Sequence, residues 1–180
     1  MTLDWNKMLD RLMRIIKFDA TVWAEIEHDE NATAEAAVVV VAAAILSALG
    51  AAIRGGGFQG FIVSFLVGTL LNWLLWSLVT MFIGTRLFGG ESNFWEMARC
   101  LGYANAPAAL GIFGAIPCLG GLVGLAAWVL SLVLGFFATR EALDLPTDKT
   151  IITIVIGWVV VLVIYLLLGG MIGATASVFS

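Results

Sequence analysis

Four stretches of this chain contain no Asp, Glu, Lys, Arg or His: residues 36–53, 61–83, 101–138 and 150–173. A helix needs roughly 17–25 apolar residues to cross the hydrocarbon core of a bilayer, and every one of these stretches is long enough. Composition agrees. Hydrophobic residues make up 61% of the 180 positions and charged residues 12%, about half the ~25% of an ordinary soluble domain. Nine bases and thirteen acids are too few to coat a soluble globule of this length. A disordered chain and a disulfide-stapled secreted scaffold are excluded on the same grounds. The predicted fold is all-α, a polytopic helical bundle in the membrane.

The stretch 101–138 is too long for one span. Pro117, Gly120 and Gly121 interrupt it in IPCLGG, which predicts two short helices joined by a tight turn, for five spans in all. A re-entrant hairpin is the alternative for the same residues. Two domains follow: a cytoplasmic amphipathic segment over 1–35 and a five-span membrane domain over 36–180. With the amino terminus in the cytoplasm, Lys7, Arg11, Arg14, Lys17, Arg86, Arg99, Arg140 and Lys149 lie on that side and Arg54 alone on the other. This asymmetry obeys the positive-inside rule and puts the carboxyl terminus outside.

Ahead of the first span, LDWNKMLDRLMRIIKF repeats Trp5, Met8, Leu9, Leu12, Ile15 and Ile16 at helical spacing. Lys7, Arg11, Arg14 and Lys17 share the remaining surface with Asp4 and Asp10. The pattern predicts an amphipathic helix. It either lies in the headgroup layer with its bases near anionic lipid, or packs on the cytoplasmic loops of its own chain. Trp23, Phe94 and Trp95 are candidate interfacial anchors. Trp73, Trp76, Trp128 and Trp158 fall deeper. Net charge is −4 with no basic stripe, so nucleic acid is not an expected partner.

Several intramembrane chemistries lack their residues. The single histidine, His28, precedes the first span, and no span holds an acid. Zinc hydrolysis, Ser–His catalysis, paired-Asp proteolysis and haem ligation within the spans are therefore not expected. RGGGFQG has glycines without a following Lys-Ser/Thr, and reads as an outer loop. No cofactor and no enzymatic activity are expected. On one helix Cys100 and Cys118 would lie about 27 Å apart, beyond the reach of a disulfide.

The polar residues within the spans are amides and hydroxyls. Asn72 and Asn105 are expected to face protein or a water-filled cavity, on antiparallel neighbours if their spans are adjacent. Interhelical hydrogen bonding is one role for them. Lining a conduction path with Ser64, Thr69 and Ser131 is the other. Gly120 with Gly124, and Gly169 with Gly173, form GxxxG pairs that let helix backbones approach.

Local sequence resembles a known family at three places. RIIKFDATVWAEIEHDENATAEAA is similar to a Trp-containing lead-in before a first span, with Ala20 where a proline often follows the Asp. LGYANAPAALGIF is similar to a Gly-Tyr…Pro opening of a third span, here Gly102, Tyr103 and Pro107. LSLVLGFFATREALDLPTDKTIITIVI is similar to the end of a fourth span and its link to a fifth. With the five-span layout, these resemble the Yip family of Ypt/Rab-GTPase-interacting membrane proteins, in its prokaryotic form. The resemblance implies a plasma-membrane location. It implies a small-GTPase partner only by analogy with eukaryotic members, which act in vesicle traffic. The expected function is a small non-enzymatic scaffold or membrane-organising protein. Its partners would be the lipid bilayer and, by helix packing, a second copy or another membrane protein. An oligomeric channel or uncoupled transporter, and an accessory subunit of a larger membrane complex, are the alternatives.

Overall fold

The computed structural model describes residues 3–117 and 119–178, with side-chain packing through residue 167. All regular structure among the described residues is helical. Helix α1 spans Trp5–Ile16, and the Asp4 carboxylate caps it by accepting from the Asn6 and Lys7 amides. Helix α2 spans Thr21–His28 and α3 spans Ala32–Ala51.

Three helical runs are long and apolar enough to cross a membrane: Ala32–Phe88, Leu119–Ala142 and Thr147–Leu167. The first has 57 residues. At about 1.5 Å per residue it would be about 86 Å long if straight, nearly three bilayer cores. It does not run straight. A π-helical turn over Ala52–Gly56 leads to Gly55 at φ 110 and Gly57 at φ 54, conformations that an L side chain resists. The chain doubles back there through α4 (Gly57–Val63) and a π-helical stretch (Ser64–Leu71), which packs against α3. Helix α5 continues over Asn72–Phe88 and stops at Gly89, left-handed at φ 71.

Helix α6 spans Phe94–Ala104, opened by a capping box in which Asn93 and Glu96 satisfy each other's backbone amides. Pro107 then tightens the chain into a 3-10 helix over Ala106–Ala115. Ten residues is long for this geometry, which seldom exceeds a turn. Packing accounts for it: the thin helix is wedged between α3 and α7 (Leu119–Ala142), with Gly111 against Ser47 and Gly50, and Gly114 against Gly120. The 3-10 helix ends at Ala115 and Ile116 is extended, so the long apolar stretch breaks at IPCLGG. Helix α8 (Thr147–Val178) packs along α5 and α7.

The main core sits at one end of the bundle. Met8, Ile15, Val22, Trp23 and Ile26 of α1 and α2 join Ala36 and Val39 of α3, Met97, Cys100 and Tyr103 of α6, and Leu134 and Ala138 of α7. The segment before residue 36 thus shares one core with the helices that follow. Trp23 is buried here rather than placed as an interfacial anchor, whereas Trp95 is exposed.

Candidate functional site

Met8, Arg11 and Ile15 form the buried face of α1 at spacings of three and four, so Arg11 occupies a core position within an apolar stripe. Its guanidinium is fully buried and donates to three carboxylates. Nη1 reaches Glu35 Oε2 at 2.6 Å, Nη2 reaches Asp29 Oδ2 at 2.7 Å, and Nε reaches Glu25 Oε1 at 3.0 Å. Glu35, in the first turn of α3, is also sealed, and the Tyr103 hydroxyl of α6 donates to the same Oε2 at 2.5 Å. One carboxylate oxygen thereby ties α1, α3 and α6 together. Glu35 Oε1 is buried and has no hydrogen-bond partner.

A second ring of charges surrounds this node. Lys7 Nζ donates to Asp29 at 2.6 Å, and Arg14 donates to Asp19 at 2.9 Å and to Glu25 at 2.6 Å. Desolvation would lower the Arg11 pKa, but hydrogen bonds to Asp29, Tyr103 and Glu35 outweigh it and raise the value. Desolvation likewise pushes Asp29 up, and bonds from Lys7, Arg11 and the Asn31 amide overcome it, so its carboxyl stays well below the usual range. Bonds from Thr21 and Arg14 hold Asp19 down at about 2. Lys7, Arg11 and Arg14, three of the four bases that the headgroup alternative put near anionic lipid, are therefore paired with acids of their own chain. An apolar stripe of α1, Trp5, Leu9, Met13 and Ile16, is exposed beside the exposed polar residues Asn6, Asp10 and Lys17.

On the far side of the same core, Arg99 Nη2 donates to the Glu27 backbone carbonyl and Nη1 to Thr33 Oγ1 at 3.3 Å. The Glu27 carboxyl is buried, with the exposed His28 ring 3.9 Å away as its recorded ionic partner. Desolvation first, then repulsion from Asp144, lifts its pKa to about 7.

The bundle also holds a crevice of about 650 Å3 between α5, α6, α7 and α8. Trp73, Trp76, Trp128 and Trp158 line it, with the Trp128 and Trp158 rings 6.2 Å apart. Its polar lining is Asn72, Asn105, Ser131, Thr139 and Tyr165, with no charged side chain. Asn72 Oδ1 accepts from the Tyr165 hydroxyl at 3.3 Å, so the recorded partner of Asn72 is α8 rather than Asn105. Asn105 Nδ2 and Thr139 Oγ1 are buried with no partner.

The structure separates the residues singled out from the sequence. Asn72, Asn105 and Ser131 meet at the crevice; Ser64 and Thr69 instead belong to the π-helical stretch, where Thr69 bonds the Ser64 carbonyl. Gly102 packs under α3, where a Cβ would sit 2.9 Å from the Ala36 Cβ. Tyr103 belongs to the ionic node and Pro107 to the start of the 3-10 helix. Gly120 is buried against the Gly114 backbone, whereas nothing lies within 4 Å of a Cβ at Gly124. Gly169, Gly173 and Cys118 lie outside the residues whose packing is described; Cys100 is a buried free thiol.

Glu35 and Arg11 are the buried charged residues that span counting missed. Glu35 falls one residue before the apolar stretch as bounded by charge, and Arg11 reads as one more surface base. The available signal was the register: 8, 11 and 15 share a helix face, so a base there required a buried acid.

Chemically, the node holds charge without offering a reacting group: every guanidinium nitrogen of Arg11 is engaged by a carboxylate. Among the described residues, no group of three or more His, Cys, Asp or Glu could hold a metal ion.

No curated protein and no solved structure matches the chain. The family model for the Yip1 domain matches residues 13–170, from the last turn of α1 into α8, and so takes in both the node partners Glu35 and Tyr103 and the whole crevice lining. The chain is a membrane protein with apolar helices, and it belongs to the Yip1 domain family.

Proposed function

We propose that this chain is a non-enzymatic membrane-organising scaffold whose cytoplasmic helices are locked to its membrane bundle. The observation that carries the reading is the Arg11–Glu35–Tyr103 node. It fixes α1 and α2 on the bundle, while the apolar stripe Trp5, Leu9, Met13 and Ile16 stays uncovered. A helix held this way presents that stripe to the headgroup layer, with the node at its back. The chain crosses five times. Support comes from the reversal at Gly55–Gly57, which divides the 57-residue run into two arms. From Leu101 to Ala115 the end of α6 and the 3-10 helix rise about 26 Å, close to the thickness of one hydrocarbon core, which supports a third crossing. Eight bases against one favour a cytoplasmic amino terminus and an external carboxyl terminus, and the family resemblance favours a plasma membrane. Helix packing with a second copy or another membrane protein gives the scaffold its partner; a small GTPase is a partner by family analogy alone.

The test is reconstitution of the full chain in sealed vesicles with ion- and solute-flux readouts, alongside its copy number in detergent. The scaffold predicts a defined assembly and no flux above empty vesicles. Flux abolished by Asn72→Leu or Asn105→Leu with assembly intact overturns it in favour of a channel.

A further inference from the structure

The geometry points to the aromatic crevice as a binding slot for one acyl chain of a bilayer glycerophospholipid, with an ester carbonyl accepting from Asn105 Nδ2. The lined face of α7 runs from Trp128 through Ser131 and Gly135 to Thr139, at helical spacing. The eleven residue steps from Trp128 to Thr139 rise about 16 Å. The crevice, about 650 Å3 along about 16 Å with a mainly apolar lining, accommodates one hydrocarbon chain along its length. The occupant is drawn from the bilayer because α5, α7 and α8 belong to the apolar runs, so hydrocarbon is the solvent at the mouth.

The polar lining specifies the rest of the ligand. Asn105 Nδ2 is a buried donor without a partner, and so needs an acceptor. Thr139 is fully buried with its hydroxyl oxygen equally unpartnered, beside the charged end marked by Arg140. No charged side chain lines the slot, so a free fatty carboxylate would be desolvated without compensation. An uncharged ester carbonyl meets the donor at no such cost. At the other polar point, the Tyr165 hydroxyl donates to Asn72 Oδ1, and the tail contacts fall to the four indoles. This slot does not depend on the scaffolding role, and would stand if that role failed.

Gly135 supplies a plug. It lines the slot, and a Cβ there meets no atom within 4 Å. Gly135→Leu therefore narrows the slot from within, and thermal midpoints in detergent check that the fold is kept. The full chain is reconstituted in phosphatidylcholine vesicles doped with phosphatidylcholine carrying a diazirine on one acyl chain. After irradiation, adducts are mapped by mass spectrometry. Labelling of α7 and α8 slot residues is divided by labelling of Leu122 and Leu125, exposed leucines outside the slot that report ordinary surrounding lipid. The expected result is slot labelling in the native chain, its loss in Gly135→Leu, and about a tenfold reduction in Asn105→Leu from the lost hydrogen bond. An unchanged ratio in Gly135→Leu, adducts on surrounding-lipid positions only, or crosslinks from the slot to a second copy would overturn the assignment.

Discussion

Arg11 Nη1 donates to Glu35 Oε2 at 2.6 Å, with side-chain exposures of 0% and 1%, across a separation of 24 residues. A sealed ion pair of this kind adds little stability over a well-packed apolar pair, but removing one partner strands a charge. Arg11→Met should therefore cost about 3–5 kcal/mol, and Arg11→Met combined with Glu35→Leu should recover a large part of that loss. Tyr103→Phe, which removes one hydrogen bond to the carboxylate, should cost about 1.5–3 kcal/mol. Thermal midpoints in detergent measure all three. A double variant no more stable than Arg11→Met would show that stranded charge is not the cause.

Gly120 and Gly124 of LGGLVG make opposite demands. A Cβ at Gly120 would meet the Gly114 backbone at 2.9 Å, and backbone cannot swing aside. Gly120→Ala should destabilise by about 1–3 kcal/mol through overpacking of α7 on the 3-10 helix. Gly124→Ala meets nothing and should stay within about 1 kcal/mol of the native chain. Unfolding midpoints of the two variants, side by side, decide whether only the first position is a packing contact.

Glu27 sets a pH dependence near neutrality. Burial and repulsion from Asp144, Glu96 and Glu141 exceed the attraction of His28, raising its carboxyl to about 7 against 4.5 in the unfolded chain. The folded state binds this proton more tightly, so the associated stability is full below 4.5 and lost as pH rises through about 7. The loss is on the order of 3 kcal/mol. Unfolding midpoints measured from pH 5 to 8 should fall in the native chain, and Glu27→Gln should remove most of that fall. The outer carboxylates behave oppositely. Asp19, held at about 2, keeps its pairing with Arg14 until strongly acid pH.

The apolar helices were legible because hydrocarbon imposes a length and a composition that no side-chain detail alters. The break at Pro117 was legible for a similar reason: Pro and Gly act on the backbone locally. No local pattern marks the π-helical stretches, and the ten-residue 3-10 helix was not legible either, since it is packed between α3 and α7 through Gly111 and Gly114, a contact between residues far apart in sequence. The node was hidden for the same reason. Charge counting treats Arg11 and Glu35 as two surface ions, and only the packing of α1 on α3 and α6 turns them into one buried pair.

Hydrogen–deuterium exchange on the full chain in vesicles tests most directly whether the node locks the cytoplasmic helices to the bundle. Glu35→Gln keeps the shape of the side chain and removes the charge that faces Arg11 and Tyr103. The amides of α1 and α2 should then lose protection while those of α7 and α8 keep theirs. Native-like protection of α1 in Glu35→Gln would contradict the account, because the helix would then be held by apolar contacts alone.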